Sequence, residues 1–162
     1  MSERKQNKKI DKRAPVIVGV GDLVDRSKED GLNPQELLAK ACEHAIQDSG
    51  IEGLNKHIDY IGVVRFTVDF LTATNQSNFQ YSNFPRTLAN KLDISTKHEV
   101  YAPMGGNSPQ VLLEDALVKI SAGETDCALL TGGEALQTMI AKLKAGMSLD
   151  WLDEPGGSPE MI

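Results

Sequence analysis

The chain has 162 residues, of which 40% are hydrophobic, and a formal net charge of -6. This length and composition predict one domain with a buried core. No apolar run reaches the length of a membrane span and the first residues are too polar for an export signal, so we expect a cytoplasmic protein with no membrane partner. Cys42 and Cys127 lack metal-ligand spacing and are predicted to be reduced core residues.

The charge is uneven along the chain. Residues 1–13 contain six basic side chains and two acidic ones, a local charge of +4, so the rest of the chain carries -10. A basic arm can contact nucleic acid or acidic lipid, but this arm has no interleaved aromatic residues and precedes an acidic body. We therefore interpret residues 1–14 as a solvated disordered tail and expect no nucleic-acid partner.

The first predicted elements are a strand and a helix. Val16 to Val20 is a short apolar run between Pro15 and Gly21, which predicts a strand buried on both faces. A helix is predicted from Asn33 to about Ser49, because a capping Asn is followed by Pro and, three residues on, by Glu. Gly50 is predicted to end this helix. The residues predicted to form its buried stripe are Leu37, Leu38, Ala41, Cys42, Ala45 and Ile46.

The later elements continue this alternation. Ile58 to Val64 is predicted to be the second strand, and Asp69 to Asn83 is polar without a clear period, which predicts a loop able to line a site. The remaining predicted elements are a helix from Pro85 to Leu92, a strand from Val100 to Ala102, a helix from Ser108 to about Ile120 and a strand from Cys127 to Thr131. Strands separated by helices imply parallel crossovers in a layered α/β sheet.

The junction from Tyr101 to Gln110 is the most informative segment. It runs from a strand through Gly105 and Gly106 into a helix, where α/β enzymes often place their chemistry. Ser108 is predicted to cap this helix, and Pro109 suits its first position. The helix N-terminus offers unpaired N–H donors and a partial positive charge that can hold an anionic oxygen. No Cys stands there to act as a nucleophile.

Two other interpretations of the glycine-rich segments, a dinucleotide-binding site and a hydrolase nucleophile elbow, are not supported by the neighbouring residues. Gly19 and Gly21 match the start of a dinucleotide fingerprint, but Val24 stands at the third glycine position and the next predicted helix begins too late to meet a pyrophosphate. The run from Gly106 to Gln110 resembles a nucleophile elbow, but Gln replaces its final Gly. Ser108 is therefore interpreted as a cap.

The remaining polar candidates carry less information. His44, His57 and His98 cannot be paired with a Ser or Cys nucleophile from the sequence and are predicted to lie at the surface. Glu134 follows two glycines after the last predicted strand, at the edge where open α/β sheets bind ligands. Its carboxylate can orient a loop, face a pocket or fix the Gly-Gly turn by a local hydrogen bond, and we favour the local hydrogen bond.

Several segments together resemble one protein family. They are Pro15-Val-Ile-Val-Gly-Val-Gly-Asp, Ala45-Ile-Gln-Asp-Ser-Gly, Ile58-Asp-Tyr-Ile-Gly-Val-Val, Asn83-Phe-Pro-Arg-Thr-Leu-Ala, Gly105-Gly-Asn-Ser-Pro-Gln and Ile120-Ser-Ala-Gly-Glu-Thr-Asp-Cys-Ala-Leu-Leu-Thr-Gly-Gly-Glu-Ala. In this order they resemble the N-terminal half of thiolase-superfamily proteins, in particular the sterol-carrier-linked branch often described as acetyl-CoA acetyltransferase. The resemblance implies the N-terminal half of the thiolase fold over residues 15–138, a layered βαβαβαβ arrangement with a mainly parallel sheet.

The resemblance also implies what the site contains. Thiolases carry a nucleophilic Cys in a Cys-x-Ser-Gly-x-Gln motif, and aligning its Gln with Gln110 places Gly105 at the nucleophile position. The activating His and second Cys lie in the family's C-terminal half, so the chain resembles a truncated product, ending in a loop region over residues 139–162 and inactive alone. The expected substrate-binding residues for a CoA thioester, with no further cofactor or metal, are Met104, Gly105, Gly106, Asn107 and Ser108.

Two functions follow from this resemblance. The parent protein is either an acyl-CoA C-acyltransferase of lipid metabolism, or a non-catalytic CoA-binding or interaction module. In the thiolase fold a later strand closes the sheet of this half, and the other half covers the helix that here starts at Ser108. The stripe from Leu112 to Ile120 is therefore expected to lack cover, which implies a homo-oligomer or a partner that completes the fold.

Overall fold

The structure, a computed structural model, describes residues 13–69 and 81–162. Most of the predicted basic tail and of the predicted polar loop lies outside the described residues. The helices are α1 (Pro34–Asp48), α2 (Phe84–Lys91), α3 (Ser108–Ala122) and α4 (Leu136–Lys144), with a short 3-10 helix at Leu54–Lys56. The strands are β1 (Tyr60–Val64), β2 (His98–Ala102), β3 (Ala128–Thr131) and β4 (Glu160–Met161). None of the helices in these ranges is long and apolar enough to cross a bilayer.

The strands form one parallel sheet in the order β3-β1-β2-β4. The predicted layered α/β fold with a parallel sheet is therefore confirmed. Because neighbouring side chains of a strand point to opposite faces, β1 divides its residues between two cores. Ile61 and Val63 pack in the larger core with α1 and α2, whereas Tyr60 packs with Leu112 of α3 on the other face. The carboxyl ends of β1, β2 and β3 consequently meet at one edge of the sheet.

Local sequence signals explain α1. Asn33 and Glu36 form the predicted capping box, in which the Asn33 side chain accepts from the Glu36 N–H at 2.9 Å and Glu36 accepts from the Asn33 N–H. Leu38 and Cys42 of the predicted stripe are buried against the sheet. The helix ends at Asp48, followed by Gly50 in the left-handed conformation that glycine favours. The predicted helix is confirmed at both ends.

The strand predicted from Val16 to Val20 is wrong. This segment belongs to no strand of the described sheet, and the side chains of Val16 and Ile17 are each 77% exposed. Gly19 and Gly21 lie so close to the backbone of α1 that a Cβ atom would collide with it. The segment is therefore held on α1, where the N–H of Val20 also donates to a carboxylate oxygen of Asp48 at 2.9 Å. An apolar run becomes a strand only where a sheet edge takes its backbone groups.

The C-terminal residues return to the β2 edge of the sheet, opposite the β3 edge. Residues 139–162 contain most of α4 and all of β4. β4 pairs with β2 through Val100 opposite Glu160 and Tyr101 opposite Met161. Trp151 is buried in the larger core on the way to this edge. The edge of β2 is therefore covered by the chain itself.

Candidate functional site

A pocket of about 480 Å³ opens at the carboxyl ends of β1 and β3. Its lining is formed by two strand ends, the first turns of α3 and the glycine pair after β3, and consists of Val64, Arg65, Pro109, Leu112, Leu130, Thr131, Gly132 and Gly133. Parallel α/β sheets bind ligands at this edge, and binding pockets combine apolar walls with a few polar groups. Here the walls are mostly aliphatic, and Arg65 supplies the charge.

The start of α3 differs in one respect from the sequence prediction. The helix begins at Ser108, so Ser108 is its first residue and Asn107 holds the cap position. The prediction that Ser108 caps the helix is therefore wrong. Asn107 has φ -96° and ψ -7°, a helical conformation rather than the extended one of a capping residue, and its side chain makes no cap hydrogen bond. Pro109 lies in the first turn, as predicted.

The five predicted substrate-binding residues lie beside the pocket rather than in its lining. Met104, Gly105, Gly106 and Asn107 are exposed, and Ser108 is buried with its N–H donating to the Gly105 carbonyl at 3.2 Å. None of these five residues lines the pocket, whereas the next residue along the chain does. A Cβ at position 105 would lie 3.1 Å from Ser108 Oγ, but one at position 106 would meet open space. A side chain can therefore be added at Gly106 without a clash.

Arg65 is the functional candidate that the sequence analysis missed. Its Nε donates to Asp69 Oδ2 at 2.8 Å, and its guanidinium lies 5.3 Å from the centroid of the Tyr101 ring. The Tyr101 hydroxyl donates to the same Asp69 oxygen at 3.0 Å. Burial lowers the pKa of Arg65, but the hydrogen bond and charge of Asp69 raise it overall, so the guanidinium stays charged. An Arg directly after a strand, with Asp four residues later, was the available signal.

Glu134 connects the two loops that flank the pocket. Its carboxylate accepts from the Thr67 N–H at 2.7 Å and from the Ala135 N–H at 3.0 Å. Neither donor belongs to the Gly132-Gly133 turn, so these bonds do not match the favoured bond that fixes this turn. The bond from Thr67 instead orients the segment after β1, which was the loop-orienting alternative. Glu134 is exposed and does not line the pocket. Its carboxylate is fixed by backbone donors, which makes it a positioning group.

Neither thiol is placed to act as a nucleophile in this pocket. Cys42 is buried on α1, and burial raises the pKa of its thiol to about 11. Cys127 is half-buried, and burial followed by the charges of Asp59 and Asp126 raises its pKa as well. A thiol that stays protonated is a poor nucleophile. Cys42 therefore lies in the core as predicted, whereas Cys127 is partly buried and packs against the margin of that core.

The three histidines also lie away from the pocket lining. His44 is exposed, and its Nδ1 lies 2.9 Å from the Asp22 carbonyl oxygen. His57 is exposed, and His98 is partly buried with Nδ1 2.9 Å from a carboxylate oxygen of Glu160. Across residues 13–69 and 81–162 no group of three His, Cys, Asp or Glu side chains could hold a metal ion. Within the described residues, the pocket lining therefore contains none of the three histidines and neither thiol.

A parallel sheet between helices, with a pocket where strand ends meet a helix N-terminus, places the chain among layered α/β proteins. Within that class it is similar to a solved structure described as a monomeric SCP2-thiolase like protein type 1 from Mycobacterium smegmatis. The two are 29% identical with a TM-score of 0.57, and the match covers 76% of this chain and 24% of that one. The chain therefore has a thiolase-like fold, as the sequence resemblance implied, and spans about a quarter of that structure's length.

No protein-family model matches the chain, and no curated protein matches it either. The thiolase-like assignment consequently rests on the three-dimensional fold together with the motifs of residues 15–138.

Proposed function

We propose that this chain is the part of a thiolase-like protein that binds an acyl-CoA thioester. The observation that carries the proposal is the apolar pocket at the carboxyl ends of β1 and β3, beside the first turn of α3. Val64, Leu112 and Leu130 form walls suited to an acyl group. The N-terminal end of α3 offers donors and a positive partial charge for a thioester carbonyl.

Under this proposal, the chain binds the acyl-CoA thioester and does not itself form a covalent bond with the acyl group. Gly105 at the nucleophile position of the family has no side chain to acylate, and both thiols lie away from the pocket lining. Acyl transfer by the parent protein would need groups that this chain does not supply. Gly105 therefore also favours the second candidate function, a non-catalytic module that binds CoA. The two free thiols fit the reducing cytoplasm, where we place the protein as part of this proposal.

Calorimetric titration with a non-hydrolysable acyl-CoA and with free CoA tests the proposal. If the acyl group enters the pocket, the acyl-CoA analogue binds more tightly than CoA alone. Equal affinity for both ligands would support the CoA-binding module, and the absence of binding to either would contradict both functions.

A matched pair of variants locates the ligand. Pro109 lines the pocket, whereas Gln110, the next residue of α3, is exposed and outside the lining. Pro109→Trp fills the opening and is expected to weaken acyl-CoA binding about tenfold or more, while Gln110→Trp leaves it unchanged. If both variants bind like the unmodified chain, the acyl group does not occupy this pocket.

A third variant tests the loop before α3, which contains the predicted substrate-binding residue Gly106. A Cβ at Gly106 meets open space, so Gly106→Val is expected to leave the free energy of unfolding nearly unchanged. Weaker acyl-CoA binding in this variant would then report contact between the loop and the ligand. Unchanged affinity would show that the loop is a structural turn, and would restrict the site to the pocket.

A further inference from the structure

The pocket at the carboxyl ends of β1 and β3 combines aliphatic walls with one cation. Val64, Leu112 and Leu130 form the walls, and Arg65 is the one charged residue among the described residues that line the pocket. A guanidinium beside aliphatic walls loses part of its hydration when a ligand enters, which costs free energy unless the ligand supplies a hydrogen-bond acceptor. A purely aliphatic ligand therefore suits the walls but not Arg65.

Two buried residues hold the guanidinium of Arg65 in place. Asp69, whose side chain is 1% exposed, accepts from Nε at 2.8 Å, and the buried Tyr101 ring packs against the guanidinium with 5.3 Å between Cζ and the ring centroid. The Tyr101 hydroxyl donates to the same Asp69 oxygen at 3.0 Å, so each contact supports the others. A side chain that is already fixed loses little conformational entropy when it binds a ligand.

The hydrogen bond to Asp69 leaves donors for a second acceptor. It uses the Nε–H group, whereas a guanidinium has five N–H groups, and its two Nη groups can donate side by side to the two oxygens of a carboxylate. Neither Asp69 nor Glu134 lines the pocket, and the Glu134 carboxylate accepts from backbone N–H groups instead. The described part of the lining therefore contains no acidic side chain that would repel an anion.

The charge of the lining favours a carboxylate over a phosphate. One Arg balances a carboxylate, which carries a single negative charge. A phosphate monoester carries about -1.5 to -2 at neutral pH, and the described lining has no second Lys or Arg to balance it. The aliphatic walls beside Arg65 also suit a ligand whose anionic group is joined to methylene groups.

We infer that this pocket selects an acyl group that ends in a carboxylate, which Arg65 binds while the methylene groups pack against the aliphatic walls. The inference rests on the proposed binding of an acyl-CoA thioester and assigns the substrate class to the same pocket. Pro109, in the first turn of α3, lines the pocket together with Arg65. The thioester carbonyl can therefore lie at the start of α3 while the terminal carboxylate lies at Arg65, which then determines specificity.

Calorimetric titration of the full chain with matched ligands tests the inference. Because pockets of this size hold small molecules, the probes are non-hydrolysable CoA analogues whose acyl chains of about four to six carbons end in a carboxylate. In each control ligand an isopropyl group of similar shape replaces the carboxylate. We expect at least one carboxylate ligand to bind at least about tenfold more tightly than its control.

The outcomes separate the inference from the proposed function. If no carboxylate ligand binds more tightly than its control, but the controls bind more tightly than free CoA, the carboxylate specificity is overturned and the proposed function stands. If no CoA ligand binds at all, both are overturned.

A matched pair of variants assigns the preference to Arg65. Arg65 and Arg86 each donate from Nε to a carboxylate, at 2.8 and 2.9 Å, and their side chains are 33% and 38% exposed, but Arg86 lies outside the pocket lining. Arg65→Met should remove the preference for carboxylate ligands and leave the affinity for the control ligands within about threefold, while Arg86→Met should keep the preference. If Arg65→Met weakens free CoA as much as the carboxylate ligands, Arg65 binds a CoA phosphate and the inference is overturned.

Unfolding curves are recorded first, because Arg65→Met takes a cation away from the buried Asp69 carboxylate. If this variant is destabilised, it is combined with Asp69→Asn, which removes the buried charge as well. A preference for carboxylate ligands that persists in the folded variant would overturn the role of Arg65.

Discussion

Asp59 joins the starts of three strands. Its carboxylate accepts from the N–H groups of Asp126 and Cys127 before β3, and lies 2.6 Å from Lys97 Nζ before β2. Its own carbonyl accepts from the N–H of Lys97 at 2.7 Å. Burial raises the pKa of Asp59, but Lys97 and the two backbone donors outweigh burial and lower the pKa overall. One short polar side chain thus fixes the relative position of β1, β2 and β3 at the end opposite the pocket.

Replacing Asp59 should destabilise the fold in a pH-dependent way. Asp59→Asn removes the charge that Lys97 and the amides bind, so we expect a loss of about 1–3 kcal/mol at neutral pH. Because the folded pKa lies below the unfolded value, this stability is complete above the unfolded pKa, near 4, and is lost as the pH falls through the folded pKa. The variant should therefore lose less stability on acidification than the unmodified chain.

Urea unfolding at neutral pH and at about pH 3 measures this effect. Lys56→Ala is the matched control, because the Lys56–Asp93 pair is an ion pair whose side chains are 60% and 81% exposed. Such exposed pairs contribute about 0–1 kcal/mol. If Asp59→Asn and Lys56→Ala have the same small effect at both pH values, the bridging role of Asp59 is wrong.

The protonated thiols lead to a second prediction at the residue scale. Incubation of the chain with acetyl-CoA should give no covalent acyl adduct and no acetoacetyl-CoA thiolysis, because Cys42 is buried with its pKa raised to about 11 and Gly105 has no side chain. Intact-mass spectrometry checks the first outcome and thioester absorbance the second. Gly105→Cys should not restore turnover, since the side chains nearest to this position in the described part of the chain are Ser108 and Asn107, and neither is a base. An adduct on Cys42 or Cys127 that turns over with added CoA would contradict the prediction.

At the scale of elements, the two 15-residue helices begin in different ways. α1 has a capping side chain that satisfies a free backbone donor, whereas α3 has Asn107 at the corresponding position without such a bond. A capping Asn contributes about 1 kcal/mol only when its side-chain oxygen reaches the first-turn N–H groups. The identity of the residue at the cap position therefore does not determine its contribution.

This difference gives a matched pair of variants. Asn33→Ala should lower the free energy of unfolding by about 1 kcal/mol, because it removes the acceptor for the Glu36 N–H. Asn107→Ala should change it by a few tenths at most, since no cap bond is lost. Chemical denaturation of both variants measures the difference. Equal losses would show that Asn107 caps α3 in solution, contrary to its observed conformation.

The sequence predicted the elements whose signals are local. The capping box of α1, the glycine after α1 and the apolar run of β1 each act within a few residues, and the structure has these elements close to the predicted positions. Val16 to Val20 has the composition of a strand but no sheet edge beside it. Its conformation depends on two glycines that fit against α1, which lies more than ten residues away in sequence.

The pocket could be predicted only in part for the same reason. The sequence located the strand-to-helix junction, but the lining combines Val64 at the end of β1 and Arg65 directly after it with Leu130 and Thr131 of β3. Residues 65 positions apart come together because β1 and β3 are neighbours in the sheet. Strand order is set by tertiary packing, so a single sequence does not reveal that Arg65 rather than Gly105 faces the pocket.

At the scale of the whole molecule, the two edges of the sheet differ in whether another strand pairs with them. The β2 edge is paired with β4, whereas the outer edge of β3 borders a second cavity of about 950 Å³ that is lined on its far side by residues 13–21. Apolar side chains concentrate beside that open edge, where Val16, Ile17 and Val20 are each at least 68% exposed. Contiguous exposed apolar surface of this kind drives association. The resemblance to thiolases led us to expect an oligomer, and this exposed apolar surface is where we propose that copies of the chain meet.

We therefore predict that the chain alone associates as its concentration rises, through the exposed face of Val16 to Val20 rather than through its buried core. Val16→Thr combined with Ile17→Thr should reduce association, because Thr keeps the β-branching but replaces an alkyl group by a hydroxyl in two side chains that are 77% exposed. The free energy of unfolding should change by less than about 0.5 kcal/mol in the double variant. Leu112→Ala is the contrasting control, since it truncates a side chain that is 1% exposed and should cost about 2–5 kcal/mol. Light scattering across a range of concentrations and urea unfolding measure the two quantities. A monomer at every micromolar concentration, with a high unfolding midpoint, would contradict the prediction and show that the open edge is stable in water.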